Sequence, residues 1–228
     1  MKKMVNKVHL EGRLYQHSLE KKVTGPQSKK PGTEYIQGNI EVATDEYVTN
    51  IVSVHFSYIT EVTSTGKTDS RFKLLSYIID GKYLTCMADG AEVATKISVD
   101  TSIGVNDFYT DRQVDENGDP TLVSAKRNEG GFIRVVNNLK ESDKDRNYFN
   151  ADIVITGVTR KEADEDRGLP EKGIIKGAIF DFRNAVLPVE FSVTNPKAID
   201  YFEGLEATAK SPVFTSIKGT QISEVVKK

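Results

Sequence analysis

The 228-residue sequence has no tryptophan, one cysteine, three histidines and no long apolar run. Each shortage excludes something. A single thiol, Cys86, rules out an intramolecular disulfide and fits a reducing, cytoplasmic setting. Its neighbours Leu84, Thr85 and Met87 point to a buried, inert side chain. Three scattered histidines (His9, His17, His55) and one cysteine make no zinc pattern. No G-x-S-x-G, no G-x-x-x-x-G-K-[ST] and no G-x-G-x-x-G occurs. The carboxylates cluster in turn-like stretches, at 111–119 and 162–166, where solvation explains them better than catalysis. The expectation is therefore a protein with no active site, metal or cofactor. The missing stretch of about 18 apolar residues removes a membrane-spanning helix. The opening Met1-Lys-Lys-Met-Val is no signal peptide, which argues against secretion.

What is present describes an ordinary folded chain, with 38% hydrophobic and 28% charged residues. The net charge is −2, yet residues 1–30 carry eight Lys and Arg against two Glu. Such a basic front end is either an electrostatic footprint for a polyanion or a solvated, solubilising terminus. Residues 6–15, NKVHLEGRLY, alternate: Val8, Leu10, Gly12 and Leu14 on one face, Lys7, His9, Glu11, Arg13 and Tyr15 on the other. Period two predicts a strand with a core face and a wet face. Gly12, in the apolar row, marks a place where another backbone comes close.

This pattern occurs twice. Residues 151–160 also run apolar into a glycine, Gly157, and exit basic. Gly12 is followed by YIQGNIEV (35–42) and IVSVHF (51–56), Gly157 by IIKGAIF (174–180) and VLPVEF (186–191). Three matched segments in one order predict an internal duplication. In the first copy, residues 16–33 read as a mobile basic loop. Val52, Val54, Phe56 and Tyr58 are placed inward. A helix follows Thr68-Asp-Ser, carries Phe72, Leu74, Leu75, Ile78 and Ile79, and ends at Gly81. A long strand from Val93 to Tyr109, a turn at Asp115–Pro120 and returning strands at 122–123 and 132–136 complete it. Polar residues 137–147 are the candidate boundary, dividing the chain into 1–140 and 148–228. The second copy has three strands, a helix after Thr194-Asn-Pro with Ala198, Ile199, Phe202 and Leu205, and a fourth strand within 213–226. It is one strand short: either it closes differently or the chain is a fragment lacking a C-terminal strand or tail.

Three strands, a helix and two strands is the order of an OB barrel. The expected fold is mainly β: two OB-fold-like five-stranded barrels in tandem, each with one helix between strands three and four. With NKVHLEGRL, the Gly/Lys loop, YIQGNIEVA and NIVSVHF in place, the first hundred residues resemble OB-fold single-stranded DNA-binding proteins, phage-encoded ones above all. Asn6, Lys7, Val8, Leu10, Gly12, Arg13 and Leu14 match that family's opening. The resemblance implies sequence-nonspecific single-strand binding in phage replication or recombination, in the host cytoplasm, with replication or recombination proteins as partners. Three features depart from it: no tryptophan, no acidic Phe-ended tail, and two barrels in one chain.

Single-strand binding needs cations along a groove and flat rings for bases. The first copy offers Lys7, His9, Arg13, Tyr15, Gln37, Asn39 and His55 on outward rows, and Lys21, Lys22, Lys29 and Lys30 in the loop. Tyr35 and Phe132 are further stacking candidates and Arg134 a phosphate candidate. The second offers Arg160, Lys176, Phe180 and Phe182, with Arg183 nearby. Each has a plainer reading: Tyr15 and Tyr35 as strand aromatics, His9 and His55 as surface histidines, Phe180 and Phe182 as packing surface. The last reading supports an alternative function, a structural or assembly module making protein contacts in a virion or replisome.

Overall fold

The computed structural model describes residues 4–114, 116, 118–164, 168–181 and 185–222. The chain is mainly β, and it divides into two compact units. The larger holds Lys7–Phe149 with the described part of Gly219–Lys228; the smaller holds Asn150–Lys218 with the described part of Met1–Asn6.

In the larger unit, β1 (Asn6–His17) pairs with β3 (Glu34–Ala43) and β3 with β4 (Ile51–Thr60), all antiparallel. After α1 (Ser70–Ile79) and the short α2 (Cys86–Asp89), β5 (Lys96–Val114) returns beside β1. Then β6 (Pro120–Val135) pairs antiparallel with β5 and, over two register pairs, parallel with β4. The pairings form a closed circuit, β1–β3–β4–β6–β5–β1. Val8, Leu10, Leu14, Ile36, Ile40, Val42, Val54, Phe56, Ile97 and Val99 fill its inside, all at 0% exposure. Gly12 lets the Ala43 backbone come close to β1: a Cβ there would lie 2.0 Å from the Ala43 carbonyl oxygen. Its sequence counterpart Gly157 faces open space. Asp69 caps α1 by accepting from Arg71 N–H, and Gly81, at φ +69°, ends it. Leu75 and Ile78 are the buried side of the helix; Phe72, Leu74 and Ile79 are half-buried.

Four expectations need correction here. Residues 16–33 are not simply a mobile loop. β1 runs on to His17, and β2 (Glu20–Val23) pairs with β3. Leu19 is buried, and Thr24 and Thr33 close the hairpin through main-chain and hydroxyl bonds. Second, β1 has no wet face around His9 and Glu11, which are 5% and 4% exposed. Residues 139–148 cover them: Lys140 N–H donates to Glu11 Oε1 at 2.6 Å, and the Tyr148 ring stacks on His9 at 5.1 Å. Third, Tyr58 points outward. Between the pairs Gly38↔Phe56 and Ile36↔Ile59, β4 spends three steps against two on β3. That bulge turns Ile59 inward at 5% exposure and Tyr58 outward at 48%. Cys86, read as buried, is half-exposed; partial burial still pushes its thiol pKa up.

In the smaller unit, β7 (Asn147–Lys161, shared with the larger unit and preceded by the single turn α3, Asp143–Arg146) pairs with β8 (Lys172–Phe180), and β8 with β9 (Val186–Val193). α4 (Pro196–Glu203) follows, capped by Asn195, with Pro196 in its first turn. It lays Ile199 against Gly173 of β8. β10 (Val213–Gly219) then pairs with β7. Ile153, Ile155, Ile175, Ile179, Val189 and Ile199 form the core. Among the described residues no further strand joins β9 to β10.

Candidate functional site

A concentration of rings and polar groups lies on the outer side of β3, β4 and β6. Tyr35 and Tyr58 meet with centroids 4.7 Å apart and planes tilted by 38°. Along the same strands Asn39 faces His55, whose Nδ1 donates to Asn39 Oδ1 at 2.8 Å. His55 in turn lies opposite Glu129 in the parallel contact, and Glu129 Oε1 accepts from Arg127 Nε at 2.6 Å. Burial lowers the His55 pKa, and the Arg127 cation lowers it further against the opposing pull of Glu129. At neutral pH the imidazole is therefore uncharged, and Arg127, paired with Glu129, is the cation beside it. Gln37, also on β3, is half-buried.

The β2–β3 hairpin carries the expected lysines. Lys21 pairs with Asp80 at 3.3 Å and Lys22 with Glu20 at 3.1 Å. Lys29 and Lys30 are exposed in the turn. Lys30 also lines a cavity of about 320 Å³ with Thr33, Glu34, Thr60, Glu61 and Phe72. Two carboxylates among these residues make it a poor phosphate seat.

A second group lies where β6 crosses β5. Phe132 is 72% exposed, with the Arg71 guanidinium 5.8 Å from its ring centroid. Arg134 reaches Asp100 at 3.4 Å. The other Asp100 oxygen takes a 2.7 Å hydrogen bond from His9 Nδ1. Lys140 Nζ, a donor only, lies 3.2 Å from His9 Nε2, so that nitrogen accepts and Nδ1 donates. His9 thus belongs to an internal network and is closed to a ligand, contrary to its reading as an outward group. Lys7 is exposed; Arg13 and Tyr15 are half-buried, and the Arg13 Nε is buried with no hydrogen-bond partner.

In the smaller unit, Arg160 is engaged by three carboxylates: Glu171 at 2.6 Å, Glu203 at 2.8 Å and Asp200 at 3.1 Å. The Glu171 hydrogen bond, then that of Asp200, raises its already high pKa, and Arg160 holds Glu171 below the usual carboxylate range. Lys176 approaches Glu190 at 3.7 Å. Phe180 is half-buried rather than displayed, and its carbonyl accepts from Asn6 Nδ2 at 3.2 Å. Phe182 and Arg183 lie outside the described residues.

Sequence reasoning missed Tyr58, Arg127 and the outer part of the β5–β6 hairpin. There Phe108, Tyr109 and Leu122 are 42%, 72% and 52% exposed. The signal for Tyr58 was present. Phe56 and Ile59 are both apolar but three apart, which breaks period two and announces a bulge. Arg127 becomes visible only through the long-range pairing of β6 with β4.

Among the described residues no helix is long and apolar enough to cross a membrane, and no group of three or more His, Cys, Asp or Glu is placed to hold a metal ion. A comparison with curated proteins gives no match. A family model described as YorF matches residues 4–217, nearly the whole chain, and the chain belongs to the YorF family.

Proposed function

We propose that this protein binds single-stranded nucleic acid without strong sequence preference, using the outer side of β3, β4 and β6. The observation that carries the reading is the ring pair of half-buried Tyr35 and exposed Tyr58, set beside Asn39, His55 and Arg127. Rings give stacking platforms indifferent to base identity, and the cation adds phosphate attraction. The circuit β1–β3–β4–β6–β5–β1, with α1 between β4 and β5 along the chain, supports an OB-type barrel. The smaller unit, with the order β7–β8–β9–α4–β10, reads as a second, incomplete copy. Lys7, Lys29, Lys30, Phe132 and Arg134 extend the face as exposed contributors. DNA as the strand, phage replication or recombination as the setting and a cytoplasmic location follow from the resemblance of the opening strands. The reading assigns no reaction and no cofactor.

The exposed Phe108, Tyr109 and Leu122 favour a second reading, in which the β5–β6 hairpin docks another protein of a virion or replisome. Competition separates the two. Unlabelled single strand should displace labelled oligo(dT) from the protein, while the matching duplex should not. Absence of any oligo(dT) complex at low salt would leave the assembly reading in place.

A further inference from the structure

The parallel contact that closes the larger unit spans only Val54↔Asn128 and His55↔Glu129. Side chains continue the seam where the backbone pairing stops. Asn128 Nδ2 donates to the Ser53 carbonyl at 2.9 Å and to Gln221 Oε1 at 2.8 Å. Gln221 Nε2 donates back to Asn128 Oδ1 at 2.9 Å, so the two carboxamides pair through two bonds. The Gln221 main chain is gripped as well. Its carbonyl accepts from Asn147 Nδ2 at 2.7 Å and Asn50 Nδ2 at 3.0 Å, and its N–H donates to Asn147 Oδ1 at 3.1 Å. Thr44 Oγ1 accepts the remaining hydrogen of each of those two asparagines.

Asn147, Thr44 and Asn128 are 1%, 2% and 7% exposed. Asn128 and Asn147, buried, and Asn50, half-buried, thus spend both amide hydrogens here, each giving one of them to Gln221. Buried amides arranged this way tolerate only a ligand that returns the bonds. A carboxamide with its own peptide group does so; a carboxylate would set oxygen against Asn128 Oδ1, acceptor against acceptor.

We propose that this recess is a carboxamide-reading seat, and that Gln221 occupies it as the lock of the β4–β6 seam. Asn128 sits between Arg127 and Glu129, and Ser53 is two residues from His55, so the lock also sets the candidate face. Release of the segment 219–222 opens the seam and weakens single-strand binding. The lock stands on geometry alone; its effect on binding rests on the function proposed above.

Hydrogen exchange on the 228-residue chain tests the lock without any nucleic acid. The Gln221→Glu and Gln221→Ala variants should lose protection about tenfold or more in peptides covering 51–60 and 124–132, since the paired bonds to Asn128 are broken and its buried carboxamide is left without that partner. Peptides covering 172–180 should keep theirs. Mild acid should restore protection to Q221E, because a protonated carboxyl can again donate to Asn128 Oδ1. Unchanged protection of the seam in both variants, or equal loss throughout the chain without acid rescue, would overturn the lock. Oligo(dT) affinity then tests the coupling: a several-fold loss in Q221E supports it, and wild-type affinity with an opened seam refutes it. Failure of the wild-type protein to bind oligo(dT) would sink the function above and leave the exchange result standing.

Discussion

His55 is the residue whose chemistry the fold changes most at the candidate face. Burial and the Arg127 cation hold its pKa below 6.5, and burial does the same for His17. Below 6.5 the unfolded chain therefore binds more protons at these positions than the folded one. Stability from this source is fully present above pH 6.5 and is lost as pH falls through that value toward the folded pKa. Chemical denaturation at pH 7.5 and pH 5.5 should show the lower stability at pH 5.5, and His55→Gln should reduce the difference. A His55→Gln profile identical to wild type would remove His55 as the cause. Tyr58 gives a second test at this scale. A stacked base contributes roughly 1–3 kcal/mol, so Tyr58→Ala should weaken oligo(dT) binding by about that much. Being 48% exposed, Tyr58 should cost little stability when cut back, which thermal unfolding will check.

At the scale of elements, the apolar rows of β1, β3 and β4 were plain in the sequence. Val8, Leu10, Leu14, Ile36, Ile40, Val42, Val54 and Phe56 repeat with period two and all point inward. What the sequence hid has a physical cause in each case. Period two gives the face of His9 and Glu11 but not what covers it, and the cover comes from Lys140 and Tyr148, about 130 residues away. Strand β2 is short and solvent-rich, so it needs no apolar row and resembled a loop. The bulge in β4 reverses the phase after Phe56, and a reading that kept the phase put Tyr58 inside. Gly12 was legible as a point of close approach, and it supports a test of β1. Gly12→Ala would drive a methyl into the Ala43 carbonyl, and overpacking of this kind costs about 1–3 kcal/mol or more. Gly157→Ala, in open space at the matching sequence position, should be far milder. Equal denaturation midpoints for the two variants would contradict the contrast.

For the whole molecule, the run of three strands, a helix and a strand was readable in both units, as β1, β3, β4, α1, β5 and as β7, β8, β9, α4, β10, while β2, α2 and α3 were not. The two runs differ in register. β3 pairs Gly38 with Phe56, while β8 pairs Gly177 with Val189, two residues earlier in the matched segment. An even shift keeps the same rows inward, so the pattern alone could not detect it. Nor could it foresee that Gln221, after β10, belongs to the larger unit. Of the candidate site, Tyr35, Asn39 and His55 were legible from their outward phase, whereas Arg127 needed the β4–β6 contact. The central claim is that this face holds a single strand. Anisotropy of labelled oligo(dT), titrated at two salt concentrations with wild type and with the Tyr35→Ala, Tyr58→Ala, Arg127→Ala triple variant, tests it most directly. The account expects salt-sensitive binding by wild type, a loss of at least about 2 kcal/mol in the variant, and a shallower salt slope there by about one unit. Equal affinity and slope for the two proteins, both folded by circular dichroism, would contradict it.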